Sequence, residues 1–489
     1  FSSRVKEAVR SGTLPKVAVR PAESDTDLAA WFAPVLAALA AAVTIAHPLA
    51  VLLPPDDGMT THTRWGFDFY TRLPVWLQWA GVAAVLAFAV PQVNRAVLRA
   101  LSRLQGYVAR INPYILLAGG SVLSTVLLWL LRTRSSLGDS EELLQKIADG
   151  SMWREREPLD YYLHFKLSHA LADWGFTPLD VYRWTSVLAG GLAVAGIVIA
   201  AWMLAPEGRR WLPAGLALAS GNMLLFAGYV ESYTFVMLLV VWFVVAALMY
   251  VRGSAPAYLP AALLALAMWM HPLAAFLLPA LAAALALRRD TFRNTLRDAG
   301  AILAAGLLVS VLVASVFLWE GYSWERWAVA RGQLGGVDPG LFKPLLEAAG
   351  PNEYYPILSA QHLGAVAQQQ LLVAPLSLAV CVLAWIAFRG RWQVARREIA
   401  LVAVAAVSAL LFSVTWNADL GARRDWDLLS LPAIPLGLLA GALLASGWPL
   451  DREDNRPHAS TLAFAGSVLV ATQGWHTLAW LLANALGVM

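Results

Sequence analysis

Three carboxylates, Asp139, Glu141 and Glu142, crowd into the stretch Ser135 to Leu144 (SSLGDSEELL), directly behind an apolar run too long and too free of charge for a water-soluble chain. A carboxylate at the edge of a bilayer is costly unless something neutralises or uses it, so the cluster is a candidate site by default. Carboxylates of this kind can take or give a proton as general acids or bases. A structural explanation competes. Leu143, Leu144 and Ile147 follow at helical spacing and Gly150 offers a stop, so Ser140 to Asp149 reads as a short amphipathic helix with Ser140 or Asp139 as its N-cap. Glu141 and Glu142 would then complement the helix dipole. Asp139, preceded by Gly138, is the first functional candidate, with Glu141 in support and Glu142 equally well explained by its place in a first turn.

Three other constellations carry chemistry-bearing residues. Gly228-Tyr229-Val230-Glu231-Ser232-Tyr233 places one carboxylate between tyrosines in an otherwise uncharged apolar stretch, which favours an inward, paired role for Glu231 over a loop position. His271, in Trp269-Met270-His271-Pro272, is either a helix-end hydrogen-bonding residue or part of the same site. Arg423-Arg424-Asp425-Trp426-Asp427 follows Asn417 and Asp419. Its arginines either pair with Asp425 and Asp427 or present planar donor forks to a phosphate. A second amphipathic stretch, Pro158 to Asp173, carries Tyr161, Tyr162, His164 and Lys166, which suit either headgroup-level anchoring or substrate contact. Tyr354, Tyr355 and His362 are weaker candidates.

The elements that must position these residues are membrane helices. The 489 residues are 59% hydrophobic and 14% charged with mean hydropathy +0.60, against about 25% charged in soluble domains. The fold class expected is an all-α polytopic bundle of about thirteen spans, from Trp31 to Leu53, Pro74 to Pro91 and Tyr114 to Leu131 onward to Thr461 to Asn484. The net charge of +4 reflects Arg and Lys between apolar runs, which set orientation, so nucleic-acid binding is discarded. One cysteine, Cys381, within an apolar run, allows neither an internal disulfide nor a cysteine metal site. Residues 1–30 suit a cytoplasmic tail, and the start, Phe1 to Asp27, shows no apolar core of signal-peptide type.

Two long apolar runs, Leu212 to Val251 with a break at Gly228 and Ala257 to Leu287 with a break at His271-Pro272, could each be one helix or a hairpin. Loop charge favours two hairpins, because the basic loops 92–113, 288–299 and 389–397 then fall on one side with the N-terminus, taken as cytoplasmic. Asp139, Glu231, His271, the loop 320–370 and the loop 417–428 would share the opposite face. The Gly/Pro-rich loop 320–370 exceeds ordinary connection lengths and reads as a lid.

An acidic Gly138-Asp139-Ser140-Glu141 segment just after a transmembrane helix, two interfacial helices in the same loop, closely connected helices and a late outer lid resemble the GT-C superfamily of membrane glycosyltransferases. That superfamily includes protein O-mannosyltransferases, oligosaccharyltransferases and aminoarabinose transferases. Gly-Tyr-Val-Glu-x-Tyr and Arg-Asp-Trp-Asp-Leu are similar to stretches of bacterial members. The resemblance covers residues 114–319 best, as a catalytic module, with 320–370 as lid and 371–489 as C-terminal helices. Two extra spans within 31–113 depart from the pattern.

The resemblance implies inverting transfer of a sugar from a polyprenyl-phosphate or polyprenyl-diphosphate carrier to a protein, lipid or glycan acceptor, at the outer face of a bacterial plasma membrane. Asp139 would be the base and Glu141 and Glu231 its supports. Arg423 and Arg424 would hold the phosphate, with Asp425, Asp427, His271, Tyr229, Tyr233, His164 and Lys166 around the substrate. No cofactor is required; Mg²⁺ or Mn²⁺ bound through Asp139, Glu141 and Glu231 is an option that some relatives use. The rival class is a transporter or flippase of a lipid-linked or anionic solute, which predicts mid-membrane polar residues and internal repeats, neither of which is clear here.

Overall fold

The computed structural model describes residues 24–52, 65–108, 111–136, 138–288, 290–323, 325–326, 342–346, 355–388, 396–418, 421–447 and 456–489. Residues 324, 327–341 and 347–354 of the expected lid, Tyr354 among them, lie outside the described residues, as do Asp419 and most of the N-terminal tail. In chain order the first helices are α1 (Ser24–Leu52), a 3-10 turn Trp65–Phe67 running into α2 (Asp68–Thr71), α3 (Val75–Ala89), α4 (Pro91–Val108), α5 (Pro113–Leu130), α6 (Ser140–Ala148), α7 (Pro158–Leu171), α8 (Pro178–Leu204) and α9 (Trp211–Leu218). Then follow α10 (Thr234–Arg252), α11 (Tyr258–Met270), α12 (Leu278–Leu287), α13 (Phe292–Trp319), α14 (Ala360–Val373), α15 (Ser377–Phe388), α16 (Arg396–Thr415), α17 (Ala433–Gly447) and α18 (Arg456–Ala485).

Local sequence accounts for the helix starts near the site. Pro113 opens α5 behind Asn112, whose side chain accepts the Tyr114 N–H, and Thr177 with Asp180 forms a reciprocal capping box ahead of Pro178 at the head of α8. Gly228, at φ +64°, closes the first long apolar run, and a Cβ there would stand 2.8 Å from Arg132 Cβ. His271 leaves α11 in an extended conformation, and its Nδ1 accepts the Leu273 N–H at 3.0 Å.

The chain is an integral membrane protein. Among the described residues seven helices are long and apolar enough to cross a bilayer, or nine if two bent pairs, Trp65–Thr71 with Val75–Ala89 (116°) and Ala360–Val373 with Ser377–Phe388 (96°), each count as a span. The expected runs Leu212 to Phe226, Ala257 to His271 and Leu273 to Leu287 form helices too short to cross alone, because Gly221 to Phe226 and Pro272 to Leu277 wind into 3-10 turns. A second difference lies in 92–113, read from its arginines as a loop: most of it is the helix α4. Arg95, Arg99 and Arg103 recur every fourth residue, interleaved with Val97 and Leu101 and flanked by Val93 and Leu104, a two-faced pattern that charge counting overlooks.

Burial separates centre from rim. The apolar window within Leu428–Gly447 is wholly buried, against 6% of the apolar windows of α5 and α13. Gly437 and Gly441, four apart on α17, let its backbone meet that of α9, since a Cβ on Gly441 would lie 2.2 Å from Pro213 Cα. The N-terminal α1 and α3 both pack on α18, so the two additional helices dock on the far end of the chain.

Candidate active site

Asp139 leads directly into α6, and its own side chain makes no capping bond to that helix. It is tied into the protein in two ways. Its backbone N–H donates to Glu231 Oε1 at 2.6 Å, and its Oδ2 accepts from Arg154 Nη2 at 2.5 Å. The Asp139 side chain keeps 32% of its surface exposed, whereas Arg154 keeps 12%. The guanidinium is thus the buried partner and the carboxylate the reachable one. Arg154 Nε lies 3.1 Å from Glu157 Oε2, and Glu157 Oε1 lies 3.8 Å from His271 Nε2. The His271 ring sits 5.2 Å from that of Tyr233.

Gly138 explains how carboxylates can approach so closely. With φ at +59° it adopts a left-handed conformation, and a Cβ there would stand 2.3 Å from Glu231 Oε1 and 3.6 Å from Asp427 Oδ2. Asp427 Oδ2 accepts from Tyr229 Oη at 3.1 Å, and its Oδ1 accepts the Leu428 N–H at 2.8 Å. Glu231 and Asp427 are both buried. Burial, then the charge of Asp427 and that of Asp139, raises Glu231 well above the usual carboxylate range. Burial, then Asp425, pushes Asp427 up to about 8. Burial brings Glu157 to about 7 against the pull of Arg154. Burial also works against the Arg154 charge, and the carboxylates of Glu157, Asp139 and Glu231 outweigh it. One buried cation therefore sits near two carboxyl groups, Glu157 and Glu231, that burial pushes toward their protonated forms.

Beside Gly138 opens a cavity of about 410 Å³, lined in part by Trp65, Asp68, Arg72, Arg423, Arg424 and Trp426. Arg424 is exposed there. Arg423 Nη2 lies 3.2 Å from Asp68 Oδ2, and Arg72 Nη2 lies 3.3 Å from the same oxygen. Gln369 Nε2, on α14, donates to the Trp426 carbonyl at 2.8 Å and fixes the turn that carries these arginines.

Of the residues singled out in the sequence, the structure brings Asp139, Glu231, Asp427, Tyr229, Tyr233 and His271 into one network, with Arg423 and Arg424 on the adjoining cavity. Asp425 stands between Arg424 and Trp426, partly buried on the same turn. Others lie apart from that network. Glu141 is exposed on the first turn of α6, and Glu142 pairs with Lys146. His164 is buried, stacked 3.8 Å from Tyr182 and placed between Asp160 (3.1 Å) and Thr185 (3.0 Å), where it fastens α7 to α8. Lys166 pairs with Glu320 at 2.7 Å, and Tyr162 donates to the same carboxylate. His362, on α14, has its Nε2 2.8 Å from the Val414 carbonyl oxygen.

Arg154, Glu157, Asp68, Arg72 and Gln369 were not among the residues singled out. A faint signal existed for two of them, since Asp68 and Arg72 stand four apart with aromatic residues between them. Among the described residues no group of three His, Cys, Asp or Glu is placed to hold a metal ion, and Arg154 pairs with Asp139.

No family model matches the chain, and no curated protein sequence matches it. Among solved structures it is similar to the arabinofuranosyltransferase AftD from Mycobacteria, with 20% identity and TM-score 0.42 over 76% of this chain. It is also similar to ArnT from Cupriavidus metallidurans, solved bound to undecaprenyl phosphate, with 12% identity and TM-score 0.49 over 77% of this chain and 76% of that one. The chain spans 27% of the length of AftD.

Proposed function

We propose that this protein is a GT-C-type membrane glycosyltransferase that moves a sugar from a polyprenyl-phosphate or polyprenyl-diphosphate carrier to an acceptor hydroxyl. The site faces the extracytoplasmic side of a bacterial plasma membrane, with the N-terminus cytoplasmic and α6 and α7 along the interface. The observation that carries this reading is a reachable carboxylate, Asp139, held by a buried guanidinium beside a cavity that presents Arg423 and Arg424.

The chemistry follows from that arrangement. Arg154 engages Asp139 Oδ2, which leaves Oδ1 to accept the proton of the acceptor hydroxyl. The acceptor oxygen bonds to the anomeric carbon as the bond from that carbon to the phosphate oxygen breaks, and a single displacement inverts the configuration. The electron pair leaves on the lipid phosphate, where Arg424 and Arg423 meet the developing charge with donor forks. Glu231 holds the Asp139 backbone, and Tyr229, Tyr233, Asp425, Asp427 and His271 frame the space behind it. A structural ion pair would also place an arginine on Asp139, but it would not require a cavity with cationic walls at its side.

The test is sugar transfer from a lipid-linked donor by purified protein. Asp139→Asn is expected to abolish transfer with donor binding retained, and Arg424→Ala, with Arg423→Ala beside it, to weaken donor binding. Retained turnover in Asp139→Asn would sink the base assignment, and unchanged donor affinity in both arginine variants would remove the clamp.

A further inference from the structure

The two additional N-terminal helices are joined through a segment, Trp65 to Arg72, that forms one wall of the cavity. Resting on the reading that the site takes a lipid-linked sugar, we infer that this segment makes the site selective for a diphosphate head group, with Arg72 as a third phosphate-binding guanidinium and Asp68 as its positioning residue.

Three observations carry the inference. First, among the described residues the charged side chains lining the cavity are Arg72, Arg423, Arg424 and Asp68, three cations and one anion. The surplus of two positive charges matches a diphosphate esterified at both ends, which carries two negative charges; a singly phosphorylated carrier joined to a sugar carries one. Second, a single oxygen of Asp68 lies within 3.3 Å of Arg72 and 3.2 Å of Arg423. Two like charges are thereby held within the sum of those distances, at a spacing suited to adjacent phosphoryl groups approached from two sides. Third, the segment is fastened rather than loosely apposed. Phe69 stacks on Trp480 at 5.9 Å, Trp480 meets Trp426 at 4.4 Å, and the Gly66 N–H donates to Gln368 Oε1 at 2.9 Å. Arg72 is 41% exposed at its side chain, so the guanidinium remains available to a ligand while its backbone is fixed.

The experiment is native mass spectrometry of the full chain in detergent with undecaprenyl phosphate and undecaprenyl diphosphate titrated separately. The wild type is expected to bind the diphosphate about tenfold more tightly, one added charge-assisted fork. Arg72→Ala is expected to erase most of that preference and leave monophosphate affinity within about twofold. Arg72→Lys, which keeps the charge and loses the fork, should fall between them and serves in place of the alanine variant if that one does not fold. Equal affinity for both lipids in the wild type, or an unchanged preference in the Arg72 variants, would overturn the inference and leave the donor reading intact. Failure of the wild type to bind either lipid would overturn both.

Discussion

Gly138→Ala isolates what the backbone does for the proposed base. The methyl group would stand 2.3 Å from Glu231 Oε1, and at φ +59° the backbone would be strained for any residue with a Cβ. The strain costs about 1–2 kcal/mol. The clash is the larger matter. Carbon–oxygen contacts shorter than about 3 Å are not tolerated, so Glu231 must retreat by a large fraction of an ångström. Its Oε1 is the acceptor of the Asp139 N–H at 2.6 Å, so the retreat carries Asp139 with it or breaks that bond.

A displacement near 1 Å at a reacting group costs on the order of 10²-fold in rate. Gly138→Ala is therefore expected to lower the transfer rate about 10²-fold while the protein still elutes as a monodisperse species. Gly150→Ala supplies the control. Gly150 has φ +78° with nothing near its would-be Cβ, so it bears the same backbone strain without the clash. It should lower the melting temperature by the strain alone, less than Gly138→Ala does, and leave turnover near wild type. If both variants lose activity alike, strain rather than carboxylate position is responsible; if Gly138→Ala turns over normally, the Glu231 to Asp139 link has no catalytic role.

The buried Asp427 carboxyl holds its proton up to about 8, because of burial and the neighbouring Asp425. A group that binds its proton more tightly in the folded state contributes stability that is complete below its unfolded value near 4 and is lost as pH rises through about 8. Melting temperature should therefore fall as pH rises across that window, and Asp427→Asn, which keeps an acceptor for the Leu428 N–H, should flatten the fall; an unchanged slope in the variant would place the titration elsewhere. At the bundle centre, Gly441→Ala should destabilise by about 1–3 kcal/mol or more, since its Cβ would meet Pro213 backbone at 2.2 Å. Gly300→Ala on α13, with open space around it, should be neutral or slightly stabilising by thermal melts in detergent, and equal effects at the two positions would contradict the close α9 to α17 packing.

Much of the site was legible where a polar residue stood alone against an apolar background. Glu231 was conspicuous because no other charge lies near it in sequence, and the breaks at Gly228 and His271-Pro272 could be read from backbone chemistry. Arg154 and Glu157 were hidden for the opposite reason. They lie in Trp153-Arg154-Glu155-Arg156-Glu157, where charges alternate and nothing local says which of the four turns inward. Asp68 and Arg72 were illegible because their partner, Arg423, is 355 positions away. Helical spacing identifies the face that carries His164 and Lys166 without saying what covers it, and here Tyr182 and Glu320 do. The expected thirteen spans exceed the seven to nine long apolar helices among the described residues, because apolar length conceals changes of helix type that hydropathy does not register.

The docking of the first helices on the last has a temporal consequence. His476 Nδ1 on α18 lies 3.1 Å from His47 Nε2 on α1, across 429 positions, and Trp480 of the same helix closes the cavity wall against Phe69. A growing polypeptide emerges from its N-terminus, so α1 to α3 enter the membrane long before the surface they rest on has been translated. The carboxylate network needs Asp427, and the cationic wall needs Arg423 and α18; both come late in the chain. The pocket is thus assembled in the last stages of synthesis, and a nascent chain stalled before α18 would present Asp139 without the completed cavity beside it.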